Sequence, residues 1–538
     1  MRITLFLFLA LFLAQASRGT NNAGVVSISA PASVAPGGNF TATITITNSG
    51  DTTWTTAGSY NLGSENLRDN TRWGLGRIAL SAEPVNPGQI AAFTTTFTAP
   101  TMPGVYPFVW KMVQDGVEWF GAVAITNIKV DADALFTPGD LVVLQVGDGV
   151  NALATSGSPI FINSYATTGG PVKFQVMLPT IGPDAFIQGN NQFTGMIDLS
   201  TDRYLLIVSG YNTNLPYAAS VEAAGSPVPR AIGTVDSAGN FTLQVKTTTA
   251  FNGGTLRGSV SDGLGNFWAG AQNNGIQYLG KNFSPLQIST LGTGTGIGAI
   301  RDLIMVNGSI CFSTSQFPSP GNHGVAAFSG APTTPSEPVL VINTTSIPGA
   351  SGTPNAKGFA INTNWTIAYV ADVRSFAIGG GIYRFNGTGT GAAGSWTYAY
   401  TLTNDLNPTA TGVFQELVVD FGGANPKIYA TTANTTSTGN SLVTAMDTGV
   451  GSSFSLLATA PALTAFRGLT FAPTAPAIPV VMSITPSGSN VVVRWTGSGT
   501  LQSASVVTGP YGAVAGLPTS PYTNGLSATN QFYRVHIP

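Results

Sequence analysis

A short pattern recurs six times between residues 193 and 468 of this 538-residue chain. Each copy has an apolar residue, a polar residue, a glycine or an acid, and then a strand-like run. Phe193-Thr194-Gly195 leads into Met196-Ile197-Asp198, and Leu256-Arg257-Gly258 into Ser259-Val260-Ser261. Ile300-Arg301-Asp302, Ala356-Lys357-Gly358, Phe414-Gln415-Glu416 and Phe466-Arg467-Gly468 open the other four. The starts at 193, 256, 300, 356, 414 and 466 lie 63, 44, 56, 58 and 52 residues apart. One such unit cannot bury its own apolar face, so the copies must stack. Stacking four-stranded units about an axis predicts a β-propeller over residues 136–473.

Residues 356–400 let the four strands be read in order. Phe359-Ala360-Ile361 is innermost, then Ile367–Ala371, Gly381–Phe385 and, outermost, Trp396–Tyr400. The last inner strand, Leu469-Thr470-Phe471, has no partners after it. The runs at 141–146, 159–162 and 172–176 supply them, so one blade is built from both ends of the segment and no edge is left open. Six inner strands predict six blades. A seventh, hidden in the long first interval, is the alternative.

The polar position of the repeat falls just before each inner strand and so should recur at one height around the channel. It is Thr194, Arg257, Arg301, Lys357, Gln415 and Arg467. Four cations are notable where Lys and Arg total only 21. They read as a rim for an anionic group such as a carboxylate, held by Arg forks. The plainer reading is that Asp302 and Glu416 pair with them while Arg donors hold carbonyls of neighbouring blades.

Residues 24–131 alternate apolar and polar residues in strands such as Phe40–Ile46 and Phe93–Phe97, which predicts an antiparallel sandwich. Four of the eight Trp lie here, as Thr53-Trp54, Trp73-Gly74, Trp110-Lys111-Met112 and Trp119-Phe120-Gly121. With Pro87-Gly88 and Thr98-Ala99-Pro100, they make the segment resemble the four-tryptophan (FW) Ig-like domain. That resemblance implies a binding or spacer module. Trp54, Trp73, Trp110 and Trp119 are expected in its core, the alternative being a surface platform for glycans or proteins.

The opening Phe136-Thr137-Pro138-Gly139-Asp140, with Val146-Gly147-Asp148-Gly149, resembles a group of exported bacterial propellers of uncharacterised activity. After a Pro-rich linker, residues 480–538 carry Asn490–Trp495, Gly509-Pro510-Tyr511 and Gln531–Ile537. They look like a short fibronectin-III-like module found at the C-termini of exported proteins of Verrucomicrobia-like bacteria.

Residues 1–16 read as a secretory signal: Arg2, an apolar run over 3–13, then Ala14-Gln15-Ala16. About 12 apolar residues cannot cross roughly 30 Å of hydrocarbon, and no membrane span is expected elsewhere. The chain should therefore be secreted, extracellular or at the cell surface. Charged residues are 8% and no basic run exists, which excludes a nucleic-acid partner. One Cys, Cys311, makes no internal disulfide, and it reads as a small buried hydrophobe. The only His residues, His323 and His536, offer neither a triad nor a metal set, and no G-x-S-x-G elbow occurs. No catalytic residue, cofactor or metal is expected. The leading reading is a non-enzymatic exported protein that binds an extracellular glycan or protein. Its rivals are a propeller enzyme acting on polysaccharide or lactone, and a structural surface or matrix protein without a ligand site.

Overall fold

The computed structural model describes residues 19–223, 225–251, 254–280, 286–289, 297–317, 322–403, 414–432, 439–476, 481–496, 499–526 and 530–536. The signal-peptide expectation over 1–16 lies outside them. The described fold is all-β: its only helical pieces are the one-turn 3₁₀ segments Phe376–Ile378 and Gly391–Ala393. Among the described residues no helix is long and apolar enough to cross a membrane. Two compact units divide the chain, Met1–Thr474 and Ala475–Pro538.

The first unit opens with a sandwich. One sheet pairs Ala23–Ser29, Asn39–Asn48 and Ile90–Thr98, and the other is built on Gly104–Gln114 with Glu118–Val130 and Tyr60–Ser64. Alternation places Phe40, Ala42, Ile44 and Ile46 inward from one strand, and they meet Phe97, Phe108 and Trp110. Trp54, Trp73 and Trp110 are buried in this core. Trp119 departs from the expectation. It stays half-exposed on the face of the second sheet, where the guanidinium groups of Arg68 and Arg77 lie 5.1 and 4.8 Å from its ring. The register of Glu118–Val130 turns it outward while Phe120 next to it points in.

Five four-stranded sheets follow, and four strands of a larger, nine-stranded sheet make a sixth group; they are numbered here I to VI by their first strands: Ile197–Leu199, Leu256–Ser261, Gly298–Val306, Ala356–Ile361, Glu416–Asp420 and Ala465–Phe471. In sheets I to V the strands lie side by side in chain order. Each first strand touches the next, and that of sheet VI touches that of sheet I. No seventh sheet occurs among the described residues. The long first interval is taken up by residues 212–229, which carry no strand between Leu205–Tyr211 and Arg230–Asp236.

Sheet VI joins the two ends of this segment. Ala465–Phe471 pairs antiparallel with Leu141–Val146, which pairs in turn with Ile160–Tyr165 and then Phe174–Met177. Leu141–Val146 and Ile160–Tyr165 are buried along their whole length, as befits strands covered on both faces. The sheet does not stop there. Phe174–Met177 pairs in parallel with Gly104–Gln114 of the sandwich, Gln175 opposite Gly104 and Val176 opposite Val105. A Cβ on Gly104 would stand 2.1 Å from the Gln175 carbonyl oxygen, so the close approach needs glycine. Phe161 and Met177 of sheet VI pack into the sandwich core, and Thr180 Oγ1 donates to Asn66 Oδ1 at 2.9 Å. The outer edge of sheet VI is thereby paired rather than exposed.

The second unit consists of two three-stranded antiparallel sheets. Met482–Ser487, Asn490–Trp495 and Tyr522–Gly525 form one; Gly512–Ala513, Thr500–Ala504 and Phe532–His536 form the other. Val493, Trp495, Leu501 and Val514 are its buried core.

Candidate functional site

The repeat acquires a physical meaning in the first strands. Each cation stands in a break of register: between Leu256 and Gly258, Ile300 and Asp302, Ala356 and Phe359, and Phe466 and Leu469. A bulge adds a residue and re-aims the side chains beside it. The residue after the cation is Gly in sheets II, IV and VI because the neighbouring first strand presses on it. A Cβ on Gly358 would lie 2.6 Å from Glu416 Cα, one on Gly468 2.5 Å from the Gly195 oxygen, and one on Gly258 3.1 Å from Leu303 N. Backbone hydrogen bonds span two of these seams, Gly358 N to Gln415 O and Gly468 N to Gly195 O, and Met196 N to Arg257 O spans the one between sheets I and II.

The cations converge, but on the protein itself. Arg257, Arg301 and Lys357 place their charged groups 5.3, 4.0 and 5.2 Å from the centre of the Phe193 ring. Lys357 Nζ and Gln415 Nε2 both donate to the Gln192 carbonyl, and Arg467 Nη2 donates to the Asn190 carbonyl at 3.3 Å. Arg257 Nη1 donates to Ile300 O of the next sheet at 2.7 Å. Thr194 does not join them; its hydroxyl turns back to Asn191 O at 2.8 Å. The place allotted from sequence to an anionic ligand thus holds residues 190–193. Carbonyl oxygens and an aromatic face are the acceptors that buried cations can use without a counter-ion. Glu222 steadies this loop by accepting from Asn191 N at 3.3 Å, and burial raises its carboxyl to about 7 despite Arg467 nearby. Burial lowers Arg257 to about 9, Arg301 and Arg467 to about 10, and Lys357 well below its ordinary range.

Asp302 and Glu416 make no ion pair with these cations among the described residues. They occupy the glycine position of sheets III and V. Because sheet IV, between them, has Gly358 at that height, the Glu416 carboxylate reaches across it; a Cβ there would stand 2.3 Å from Glu416 Oε1. The two carboxyls come within hydrogen-bonding contact of each other. Burial, then each other's proximity and that of Asp198, pushes Asp302 well up, and burial pushes Glu416 to about 8 against the pull of Lys357. Asp198 on sheet I is raised to about 7, chiefly by burial, although it accepts from Leu199 N and Met305 N.

The acidic layer lines a cavity of about 620 Å³. Asp198, Asp302 and Glu416 give it buried or half-buried carboxyls, Ile304, Met305, Phe359 and Phe471 are among its walls, and Thr201, Asn307, Thr363 and Asn364 are exposed residues of its lining. No group of three or more His, Cys, Asp or Glu side chains is placed to hold a metal among the described residues. Cys311 is fully buried and its thiol is pushed up by burial, as a packing residue would be. His323 lies on the third strand of sheet III, and His536 is exposed on the last strand of the second unit.

Sequence reasoning found the cations but not what they surround. Phe193 was visible as the aromatic residue opening the repeat before sheet I, preceded by Asn190-Asn191-Gln192, but Phe414 and Phe466 open other repeats in the same way, and its insertion among the other openings is not encoded in spacing.

Residues 27–130 match the family described as "Ig-like domain from next to BRCA1 gene". The N-terminal sandwich is thus an Ig-like domain within an all-β chain. No curated protein matches the chain.

Proposed function

We propose that this is an exported binding protein in which residues 136–473 form a closed six-bladed β-propeller and the wide end of its channel takes a small extracellular ligand. The observation that carries the reading is the asymmetry of the axis. One end is stopped by residues 190–193 under the cations, and the other is a cavity of about 620 Å³, within the range of small-molecule sites. Cyclic contact of six first strands and the pairing of Ala465–Phe471 with Leu141–Val146 support closure. The apolar run over 3–13 supports export, and the two flanking sandwiches, the second read as fibronectin-III-like, suit a protein that presents the propeller outside the cell. A purely structural role is less favoured, since only one end of the axis is filled. The enzyme reading gains a carboxyl pair, yet Asp302 and Glu416 touch each other. Both glycosidase geometries need a gap of about 5–9.5 Å.

The test is a binding screen of small extracellular metabolites and short glycans on the full chain, repeated with Met305→Trp, which adds an indole to the cavity wall. Ligands found with the wild type should be lost in the variant while circular dichroism stays native. Ligands that bind both proteins equally would place recognition elsewhere, on the Ig-like domain or the C-terminal unit, and refute the reading.

A further inference from the structure

The carboxyl lining of the cavity has a chemistry of its own. Asp302 and Glu416 are only 2% and 3% exposed, yet Asp302 Oδ2 and Glu416 Oε2 accept no hydrogen bond from any described N–H or hydroxyl group. Buried polar atoms in folded proteins are nearly always satisfied, so two such oxygens, on carboxyls that line one cavity, call for a donor from outside the chain. The rim cations cannot serve. Arg257, Arg301, Lys357 and Arg467 are turned to Ile300 O, Phe193, Gln192 O and Asn190 O instead.

Resting on the reading of the cavity as a ligand site, we propose that its ligand carries a protonated primary amine, seated against the carboxyls of Asp302 and Glu416. An ammonium has three N–H donors and no acceptor, which matches two carboxyls that each keep an oxygen without a donor. A calcium ion fits less well. It takes six to eight oxygens, and the described residues bring no three acidic or His/Cys side chains together around one point. Apolar walls from Ile304, Met305, Phe359 and Phe471 suit a compact hydrocarbon or aromatic body behind the amine.

Proton linkage follows from what faces the pair. Sheet I contributes Asp198, with Arg203 near it; sheet IV contributes Lys357, backed by Arg467, Arg301 and Arg257. Burial raises both carboxyls above their ordinary range, and the nearby Glu416 raises Asp302 further. An entering ammonium favours the ionised forms, so binding releases a proton to solvent and tightens as pH rises from 6 to 8.

The experiment is isothermal titration of the full chain with benzylamine and with benzyl alcohol, which share a shape and differ in charge. It is run at pH 6 and pH 8 in two buffers of different ionisation enthalpy. Benzylamine should bind at least tenfold more tightly than the alcohol at pH 8, more weakly at pH 6, and with proton release. Asp302→Asn combined with Glu416→Gln, which keeps both shapes, should abolish that preference while near-ultraviolet circular dichroism stays native. Equal binding of the two probes, lost in Met305→Trp, would overturn the amine while leaving the cavity as a site. Calcium binding that depends on Asp302 and excludes benzylamine would overturn it in favour of a metal. Failure of both probes overturns the amine too. In that case the Met305→Trp screen separately decides whether the cavity binds anything.

Discussion

Replacing Phe193 by Leu should loosen the 190–193 loop among the cations without emptying the place of apolar volume. The ring sits 4.0 Å from the Arg301 guanidinium, 5.2 Å from Lys357 Nζ and 5.3 Å from the Arg257 guanidinium. An exposed cation–π contact contributes about 0.5–1 kcal/mol, and a desolvated one about 2. Phe193 is half-buried, so the lower range applies, and three contacts give about 1.5–3 kcal/mol in all. Leucine keeps most of the bulk and loses the quadrupole, which also leaves three cations facing one another across an apolar gap. The effect is local, so amide hydrogen exchange is the assay of choice. Thr194 N donates to Asn191 O at 3.2 Å and Met196 N to Arg257 O at 3.3 Å, and both bonds open if the loop lifts out. At 1.4 kcal/mol per tenfold, exchange at these two amides should quicken roughly ten- to hundredfold. Amides of the second unit should be unchanged. Exchange at Thr194 and Met196 within about twofold of wild type would refute the claim that the ring's charge distribution, rather than its volume, holds the loop.

Glu416→Gln should flatten the pH dependence of stability. Folding lifts Glu416 from an ordinary 4.5 to about 8, so between those values the folded chain holds a proton that the unfolded chain has lost. Stability contributed by this group is full below about 4.5, falls as pH rises through the window and is level above about 8. Urea unfolding at pH 5 and pH 8.5 should show a smaller difference in the variant, and an identical difference would count against the buried protonated state. Gly358→Ala should destabilise the first unit by about 1–3 kcal/mol, because the new Cβ would meet Glu416 Cα at 2.6 Å. Gly24→Ala, with nothing within 4 Å, should change little; equal effects would contradict the close seam between sheets IV and V. Trp110→Ala should cost about 3–5 kcal/mol in chemical unfolding. Trp119→Ala should cost about 1–2, since it removes two cation–π contacts at the surface. A Trp119 effect as large as that of Trp110 would restore it to the core.

Much of the fold was legible because it rests on local chemistry. Period-two alternation marks Asn39–Asn48 and Ile90–Thr98 as strands with one buried face. The cation-glycine pairs at 257, 357 and 467 mark bulges, since a backbone pressed against its neighbour rejects a Cβ wherever it sits in the chain. Even the pairing of Ala465–Phe471 with Leu141–Val146 could be argued, because a final strand without partners and three initial strands without a leader imply each other.

The site was decided elsewhere. Nothing in sequence spacing states that Phe193 and the Gln192 carbonyl enter among Arg257, Arg301 and Lys357, which lie 64 to 164 positions further along the chain. Nor does it state that Asp302 and Glu416, 114 positions apart, meet over the missing side chain of Gly358 rather than pairing with the cations beside them. The continuation of sheet VI into the Ig-like domain through Gly104 is equally silent in the sequence. The physical reason is common to all three. Alternation, propensity and turn chemistry act between residues a few positions apart, so the sequence determines strands, bulges and repeats. Which charges end up opposed, neutralised or left unpaired depends on contacts between residues far apart in the chain, and only the tertiary structure sets those distances.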